Sequence, residues 1–230
     1  MNKNAIISFA TKKGRYVKAL ARLSESLRNN SEGIDFISWI GEAALGAPLH
    51  SENPYAFKIA AFNVARAAGY KNVLWVDSSC FSIKNVYPCF DEIETNGFLF
   101  QDAGFYASEY INDRALNYFG ITREQARGIK LIGNAGMLGL NFEMGRPNVF
   151  FQKWEQSMRD GIWIGKWDNN DKTESDSEEC KGHRHDMVSG VILHQMGIAY
   201  LMKPGDTWLQ YAGLFDETLN DTIIWKAQGL

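Results

Sequence analysis

Apolar residues in the first third of the chain alternate between strand-like and helix-like spacing. Residues 5–11 form a continuous apolar run that ends in a polar turn, which predicts a short buried strand. Apolar residues recur at helical spacing over 16–27, and apolar and polar residues alternate over 34–40 as in a half-buried strand. Asn53, Pro54 and Gly69 predict the start and stop of a second helix, before a buried strand over 72–76. This strand, helix, strand, helix, strand order predicts parallel pairing and an α/β layered fold.

The remaining pattern is less regular but still predicts several elements. They are a strand at 98–100, helical turns over 112–119 and 122–127 with a capping box at Thr122 and Gln125, a glycine-punctuated segment over 131–142, a helix from Pro147 to Gly161, a helix from Asp186 to Gly197, and a strand over 198–202.

Residues 166–181 interrupt this pattern with acidic and polar side chains and almost no apolar ones. Such a composition has little apolar surface to bury, so we expect an acidic, mobile loop here.

Composition narrows the class of protein. The chain has 230 residues, 45% apolar and 22% charged, which suits one domain over 1–230. A net charge of −3 without a dense Lys/Arg run disfavours a nucleic-acid partner. Three cysteines without paired spacing predict no disulfide framework and fit a reducing cytosol. No stretch has the length of a signal peptide or of a membrane span.

Asp77 is the first candidate for chemistry. It follows four apolar strand residues, so its carboxylate is predicted to emerge at the carboxyl edge of the sheet, where α/β proteins bind ligands. A hard divalent cation, or a diphosphate bridged by one, prefers such an oxygen ligand. The alternative is that Asp77 caps the turn through Ser78 and Ser79, since Asp-Ser-Ser is also good turn chemistry.

A second candidate is the cluster His183-Arg184-His185-Asp186, which follows the acidic segment. Imidazole suits manganese-type cations, and guanidinium suits phosphate oxygens. A capped helix entry alone would explain Asp186 but not the three ionisable groups before it. Lys58, one turn into the second predicted helix, is a weaker phosphate-binding candidate, with an exposed helix lysine as the alternative.

Together, Val73-Leu74-Trp75-Val76-Asp77, the preceding Asn53-Pro54-Tyr55-Ala56-Phe57-Lys58 and the later His183-Arg184-His185-Asp186 resemble small bacterial and viral glycosyltransferases of the GT-A fold. The resemblance extends over residues 5–202. It implies a single Rossmann-like α/β domain with a mixed, mainly parallel sheet, located in the cytoplasm of the bacterium or of the infected host.

The resemblance also implies roles for individual residues. Thr11, Lys58, Asp77, Ser79 and Arg184 would contact the nucleotide sugar. Asp77 would hold a divalent cation, with Mn²⁺ favoured and Mg²⁺ as the alternative, and His183 or His185 would be a further ligand. Asp186 would face the sugar or act as the base that takes the acceptor proton.

Two positions depart from the family pattern. Ser79 replaces the second acid of the Asp-x-Asp motif, so fewer carboxylates reach the metal, and Met187 replaces a common Gln that contacts sugar. The predicted function is transfer from a nucleotide-diphosphate sugar, with a UDP-sugar favoured, to a hydroxyl of a glycan or other acceptor. Two alternatives remain open: a metal-dependent phosphohydrolase or nucleotidyltransferase, and a non-catalytic nucleotide-sugar-binding module.

Overall fold

A computed structural model describes residues 3–132, 136–205, 207–211 and 224–227. Asn134, in the glycine-punctuated segment over 131–142, lies outside the described residues. The strands are β1 Asn4–Ala10, β2 Asp35–Ile40, β3 Asn72–Val76, β4 Cys80–Ser82, β5 Phe98–Leu99, β6 Asp102–Tyr106, β7 Lys130–Ile132, β8 Met137–Asn141, β9 Leu209–Tyr211 and β10 Trp225–Ala227. The α-helices are α1 Gly14–Leu27, α2 Phe57–Ala67, α3 Tyr87–Asn96, α4 Ala107–Tyr110, α5 Asp113–Tyr118, α6 Arg123–Ala126, α7 Gly145–Arg159 and α8 Ser189–Gln195, with 3₁₀ turns at Glu42–Leu45, His185–Val188 and Ala199–Leu201.

The central sheet has the strand order β2-β1-β3-β8-β5. β1 pairs in parallel with β2 on one side and β3 on the other, while β8 runs antiparallel to both β3 and β5. The fold is therefore α/β with a mixed sheet whose first three strands are parallel, and the predicted fold class is confirmed.

Helices cover both faces of this sheet. Ile7 and Phe9 of β1 pack in one apolar cluster with α2, α7 and α8. Ile6 and Ala10, which alternate with them along the strand, pack in a second cluster with α1 and α3. Because a parallel sheet is covered on both faces, its strands are apolar at almost every position, as the sequence shows.

Smaller sheets flank the centre. β4, β10 and β9 form one of them, and β6 pairs with β7 in the other. In the first, Cys80 lies opposite Ala227, which brings the end of the described chain beside the carboxyl end of β3.

Three sequence predictions of secondary structure differ from the structure. The second helix begins at Phe57 rather than near Asn53, and the Asn53 side chain donates to the Met158 carbonyl at 3.2 Å instead of capping. Residues 198–202 hold a 3₁₀ turn at Ala199–Leu201, not a strand. Asp186 likewise lies inside the 3₁₀ turn His185–Val188, ahead of α8, and not at a helix cap.

Residues 166–181 fold around one buried amide. Asn169 is 6% exposed, and its Nδ2 donates to the carbonyls of Ser175 and Cys180 at 2.8 and 3.1 Å. Its Oδ1 accepts from the Glu174 amide at 3.0 Å. This acidic segment therefore packs around Asn169, and its expected mobility stays a prediction.

Two further sequence expectations concern the cysteines and the membrane. Cys80, Cys89 and Cys180 are buried free thiols. Within the described parts of the chain, every helix falls short of the length and apolar character needed to cross a bilayer.

Candidate functional site

A large cavity opens at the carboxyl end of β1, where the chain continues to β2 on one side of β1 and later to β3 on the other. This arrangement creates a crevice at the carboxyl ends of β1 and β3. The cavity has a volume of about 1140 Å³. It is lined by Phe9, Thr11, Lys12, Lys13, Arg15, Tyr16, Glu42, Leu49, His50, Ser51, Tyr55, Phe57, Trp75, Asp77, Ser78, Ser79, Trp167 and Ala227.

Asp77 lies at this edge, as its place after β3 predicts. Its Oδ1 accepts a hydrogen bond from Trp75 Nε1 at 2.7 Å and lies 3.7 Å from Lys58 Nζ. Its side chain remains 33% exposed. Asp77 therefore presents an oriented carboxylate to the cavity, and the turn-cap alternative does not account for these contacts.

Lys58 is not the exposed helix lysine of the alternative interpretation. Its side chain is 1% exposed, and its Nζ donates to Asp186 Oδ2 at 2.7 Å. Burial lowers the pKa of Lys58, but the carboxylates of Asp186 and Asp77 raise it by more, so the pKa lies above its usual value. The ammonium is therefore charged and joins the two acids.

Asp186 lies behind the cavity wall. Its side chain is 4% exposed, and its carbonyl accepts from Trp154 Nε1 at 2.9 Å. Burial raises the pKa of Asp186, while Lys58 opposes that shift. This geometry favours Asp186 as the partner that holds Lys58 against Asp77, and its predicted role as acceptor base stays a prediction.

His183 has both ring nitrogens occupied by backbone. Nδ1 lies 3.3 Å from the Asn112 amide, and Nε2 lies 2.9 Å from the Ile162 carbonyl. Burial, helped by His185, lowers the pKa of His183 to about 3. The neutral ring thus accepts a hydrogen bond at Nδ1 and donates one at Nε2. A metal at His183 would have to break one of these bonds, so the geometry favours a structural role.

His185 keeps one nitrogen without a bond. Its Nδ1 lies 2.8 Å from the Trp163 carbonyl, whereas Nε2 is buried and has no hydrogen-bond partner among the described residues. The ring packs against Tyr55 and Trp167, with centroids 5.5 and 5.6 Å away. His185 therefore lies directly behind two residues of the cavity wall and does not itself line the cavity.

Tyr55 and His185 share an uncommon backbone conformation. Their φ angles are 63° and 44°, in the left-handed region that side chains with a Cβ rarely adopt. Such conformations cluster at functional sites, where the surrounding structure holds them in place. Lys58 also packs against the Tyr55 ring, 5.1 Å from its centroid, and the His185 ring lies 5.5 Å from that same ring.

Arg184 contacts the cavity wall through Trp167. Its guanidinium lies 4.1 Å from the centre of the Trp167 ring, and one of its NH groups donates to the Trp167 carbonyl at 2.6 Å. Since Arg184 is not itself among the lining residues, its predicted contact with phosphate stays a prediction.

The cavity also carries groups suited to phosphate. Lys12, Lys13 and Arg15 line the cavity at the start of α1, next to Thr11. The Thr11 hydroxyl has no hydrogen-bond partner within the described chain. Ser79 also lines the cavity, and its carbonyl accepts from Arg22 at 2.7 Å. These cations line the same cavity as Asp77, so the cavity suits an anionic ligand.

Several cavity residues are absent from the sequence-based prediction. Trp75 could have been found, because residues two apart in a strand share a face and Trp75 precedes Asp77 by two. His50 also lines the cavity, and its ring packs 4.8 Å from the Tyr55 ring. Trp167 lies in the segment interpreted as mobile and carried no distinguishing pattern.

The resemblance implies a divalent cation, so we asked whether the residues of this site could hold one. Among the described residues, no three His, Cys, Asp or Glu side chains lie close enough together to hold a metal. Asp77 brings one exposed carboxylate, with the hydroxyl-bearing Ser78 and Ser79 beside it. This donor set fits a cation that keeps water and substrate phosphates as ligands, but it does not fit one held by protein groups alone.

The fold is shared with solved structures of glycosyltransferases. The galactosyltransferase LgtC, solved in complex with donor and acceptor sugar analogs, is 13% identical with a TM-score of 0.52, over 97% of this chain and 86% of that one. Mouse xyloside xylosyltransferase 1 in its apo form is 12% identical with a TM-score of 0.49, over 97% of this chain and 96% of that one. Comparison with protein-family models and with curated proteins gives no match. The likeness to LgtC confirms the GT-A type of fold, and function has to be argued from the site.

Proposed function

We propose that this chain transfers a sugar from a nucleotide-diphosphate sugar, with a UDP-sugar favoured, to a hydroxyl of a glycan or other acceptor. The observation that carries the proposal is the crevice between β1 and β3, where Asp77 and the three cations Lys12, Lys13 and Arg15 line one cavity. A nucleotide diphosphate needs this combination, because its negative charge grows as the bond to the sugar breaks.

The chain's own groups would bind and orient the donor. Lys12, Lys13 and Arg15 would attract the diphosphate, and Thr11 would contact the nucleotide. Asp77 is fixed by Trp75 and Lys58, so it would present its free carboxylate edge in one direction. Asp186 would act through Lys58 as a positioning residue. Preorganised groups of this kind lower the barrier because they need not reorient during the reaction.

Asp77 would also be the protein ligand of a divalent cation, Mn²⁺ or Mg²⁺, bound together with the donor. When bound, such a cation neutralises charge on the diphosphate leaving group. In the transfer, the bond from the anomeric carbon to the diphosphate oxygen breaks, and a bond to the acceptor oxygen forms. The acceptor hydroxyl loses its proton, and Asp186 remains the proposed base if that proton passes to the protein.

Two alternative functions predict different products or none. A phosphohydrolase or nucleotidyltransferase would cleave the donor to a nucleoside monophosphate. A binding module would retain the donor unchanged, and Asp77→Asn would leave its affinity intact.

The test combines binding with product analysis. UDP, UDP-glucose and UDP-galactose, each with and without Mn²⁺, should raise the melting temperature of the wild-type protein by mass action. Incubation should release UDP, either by transfer or by slow hydrolysis. Asp77→Asn should reduce UDP release at least about 100-fold, on the scale of losing one preorganised group at a developing charge.

Asp91→Asn is the matched control, because Asp91 is an exposed carboxylate on α3 outside the cavity. It should behave as the wild type does. Release of UMP instead of UDP would replace the proposal with the phosphohydrolase alternative, and no melting shift with any of these nucleotides would overturn it.

A further inference from the structure

Trp167 is a cavity residue that donor binding does not explain. It lies on the cavity wall with 52% of its surface exposed, whereas Trp75, Trp154, Trp163 and Trp225 are buried. An exposed indole leaves a large, rigid apolar surface in water, and on a cavity wall that surface is available to a ligand.

The indole is held firmly although it is exposed. The Arg184 guanidinium lies 4.1 Å from its ring centre and 4.4 Å from that of Tyr110, so Arg184 is packed between two aromatic rings. The same guanidinium binds the Trp167 carbonyl at 2.6 Å. Arg184 therefore supports one face of the indole and leaves the exposed part of the side chain free for the cavity.

The backbone beneath the indole is fixed as well. Gly182 has a φ of 148°, and a Cβ there would overlap the Trp167 carbonyl and lie 2.9 Å from Asp168 Cα. The amide of His183 also donates to the Lys166 carbonyl at 2.7 Å. This close approach joins residues 166–168 to residues 182–184, so the ring is ordered before any ligand arrives and costs little entropy on binding.

The cavity has room for a second ligand. Its volume of about 1140 Å³ exceeds the roughly 300–1,000 Å³ of a site for one drug-sized molecule. The cations that suit the diphosphate belong to the start of α1, whereas Trp167 neighbours Tyr55, His185 and Arg184. The two groups belong to different elements of the cavity wall.

We infer that Trp167 is the platform for the acceptor, and that the acceptor is a saccharide whose pyranose ring packs its apolar C–H face on the indole. This inference rests on the proposed transferase function, and it narrows the acceptor from any hydroxyl compound to a glycan. A flat, rigid indole suits the C–H face of a sugar ring, while the sugar hydroxyls at the ring edge remain available to polar groups of the cavity.

The test uses methyl β-D-glucopyranoside, methyl β-D-galactopyranoside and methyl α-D-mannopyranoside as acceptor probes, with the full chain saturated with UDP. Saturation-transfer NMR should detect binding of at least one glycoside to the wild type. Trp167→Ala should weaken that binding about tenfold, and Trp167→Phe, which restores an aromatic face, should recover most of it. Tyr200→Ala is the matched control, since Tyr200 is 72% exposed and outside the cavity, and it should bind as the wild type does.

The donor sugar is the competing ligand for this ring, and a second measurement separates the two. Calorimetric affinities of Trp167→Ala for UDP and for UDP-glucose should both equal those of the wild type. A selective loss of UDP-glucose affinity would assign Trp167 to the donor sugar and overturn the inference. Binding of no glycoside by a wild type that binds UDP would also overturn it, as would unchanged glycoside binding by Trp167→Ala. Failure of the wild type to bind UDP would instead remove the proposed function itself.

Discussion

At the scale of single residues, the ion-paired cluster of Lys58, Asp77 and Asp186 is costly to bury, because charged groups lose their hydration. One ammonium lies between two carboxylates, with Lys58 and Asp186 almost fully buried. A buried ion pair contributes little net stability, but removal of one partner leaves an unpaired buried charge. The trio is therefore better understood as a device that orients Asp77 than as a source of stability.

This view predicts the effect of Lys58→Met. The variant keeps a long, unbranched side chain but removes the ammonium and leaves Asp186 without its partner, so the free energy of unfolding should fall by about 3–5 kcal/mol. Urea denaturation measures the loss. Lys71→Met is the control: Lys71 pairs with Glu143 at the surface, and its loss should cost less than about 1 kcal/mol.

A double variant separates the pair from the general effect of the substitution. Lys58→Met combined with Asp186→Leu removes both buried charges and should recover a large part of the lost stability. It should not recover donor turnover, because Asp77 then lacks the ammonium that orients it. Equal stability of the single and double variants would show that Asp186 does not depend on Lys58.

The histidines predict how stability depends on pH. Burial holds the pKa of His183 at about 3 and that of His185 at about 4, both below the unfolded value of 6.5. Between these pKa values and 6.5 the unfolded chain binds more protons than the folded chain. Stability therefore falls as the pH falls through this window, by up to about 1.4 kcal/mol per pH unit for each histidine.

Urea midpoints at pH 7.5 and pH 5.0 test this. His183→Gln should show a smaller loss between the two pH values than the wild type, because one proton fewer is taken up on unfolding. His194→Gln, at an exposed position near the end of α8, should lose as much stability as the wild type. The buried carboxylates titrate in every variant, so the difference between variants isolates the imidazole. An unchanged loss in His183→Gln would contradict the prediction.

At the scale of elements, the contact between β8 and α3 depends on a missing side chain. Gly139 lies opposite Leu74 on one side and Leu99 on the other, and a Cβ there would lie 2.9 Å from Leu99 Cβ and overlap Ile93 of α3. The glycine therefore lets the helix approach the antiparallel strand β8, whose first residue, Met137, lies opposite Val76 and so next to Asp77.

Gly139→Ala should lower the free energy of unfolding by about 1–3 kcal/mol, the usual cost of overpacking a core. Gly145→Ala is the control, because a Cβ at Gly145, in the first turn of α7, meets no atom within 4 Å. Thermal or urea unfolding distinguishes the two. Gly139→Ala with the stability of the control would show that α3 can move away from the sheet at no cost.

Local sequence predicted those elements whose ends are fixed by neighbouring residues. The Thr122 and Gln125 capping box is confirmed, and Asn112 caps α5. The expected cap at Asn53 is wrong, because the Asn53 amide donates to Met158, 105 residues away. The expected strand at 198–202 is wrong because a short apolar run does not distinguish a strand from a buried turn.

At the scale of the whole molecule, the donor and the cation should depend on each other. Asp77 is the protein carboxylate at the proposed cation position, so the diphosphate would supply the other anionic ligands. Calorimetry should show weak Mn²⁺ binding to the free protein and at least about tenfold tighter binding with UDP, with UDP affinity raised by the same factor. Asp77→Asn should abolish this coupling. Tight Mn²⁺ binding without UDP would contradict it and reveal a metal centre made by the protein.

The sequence by itself determined the α/β order, the GT-A resemblance and the place of Asp77. The α/β order and the place of Asp77 depend on local periodicity and on the rule that ligands bind at the carboxyl ends of parallel strands. The resemblance depends on the sequence motifs at residues 53–58, 73–77 and 183–186. The tertiary structure decided which ionisable groups meet. It buried Lys58 between Asp77 and Asp186, turned both nitrogens of His183 toward backbone, and placed Trp167 on the cavity wall. Local residue spacing does not predict these contacts, because each one joins residues that are distant in the chain.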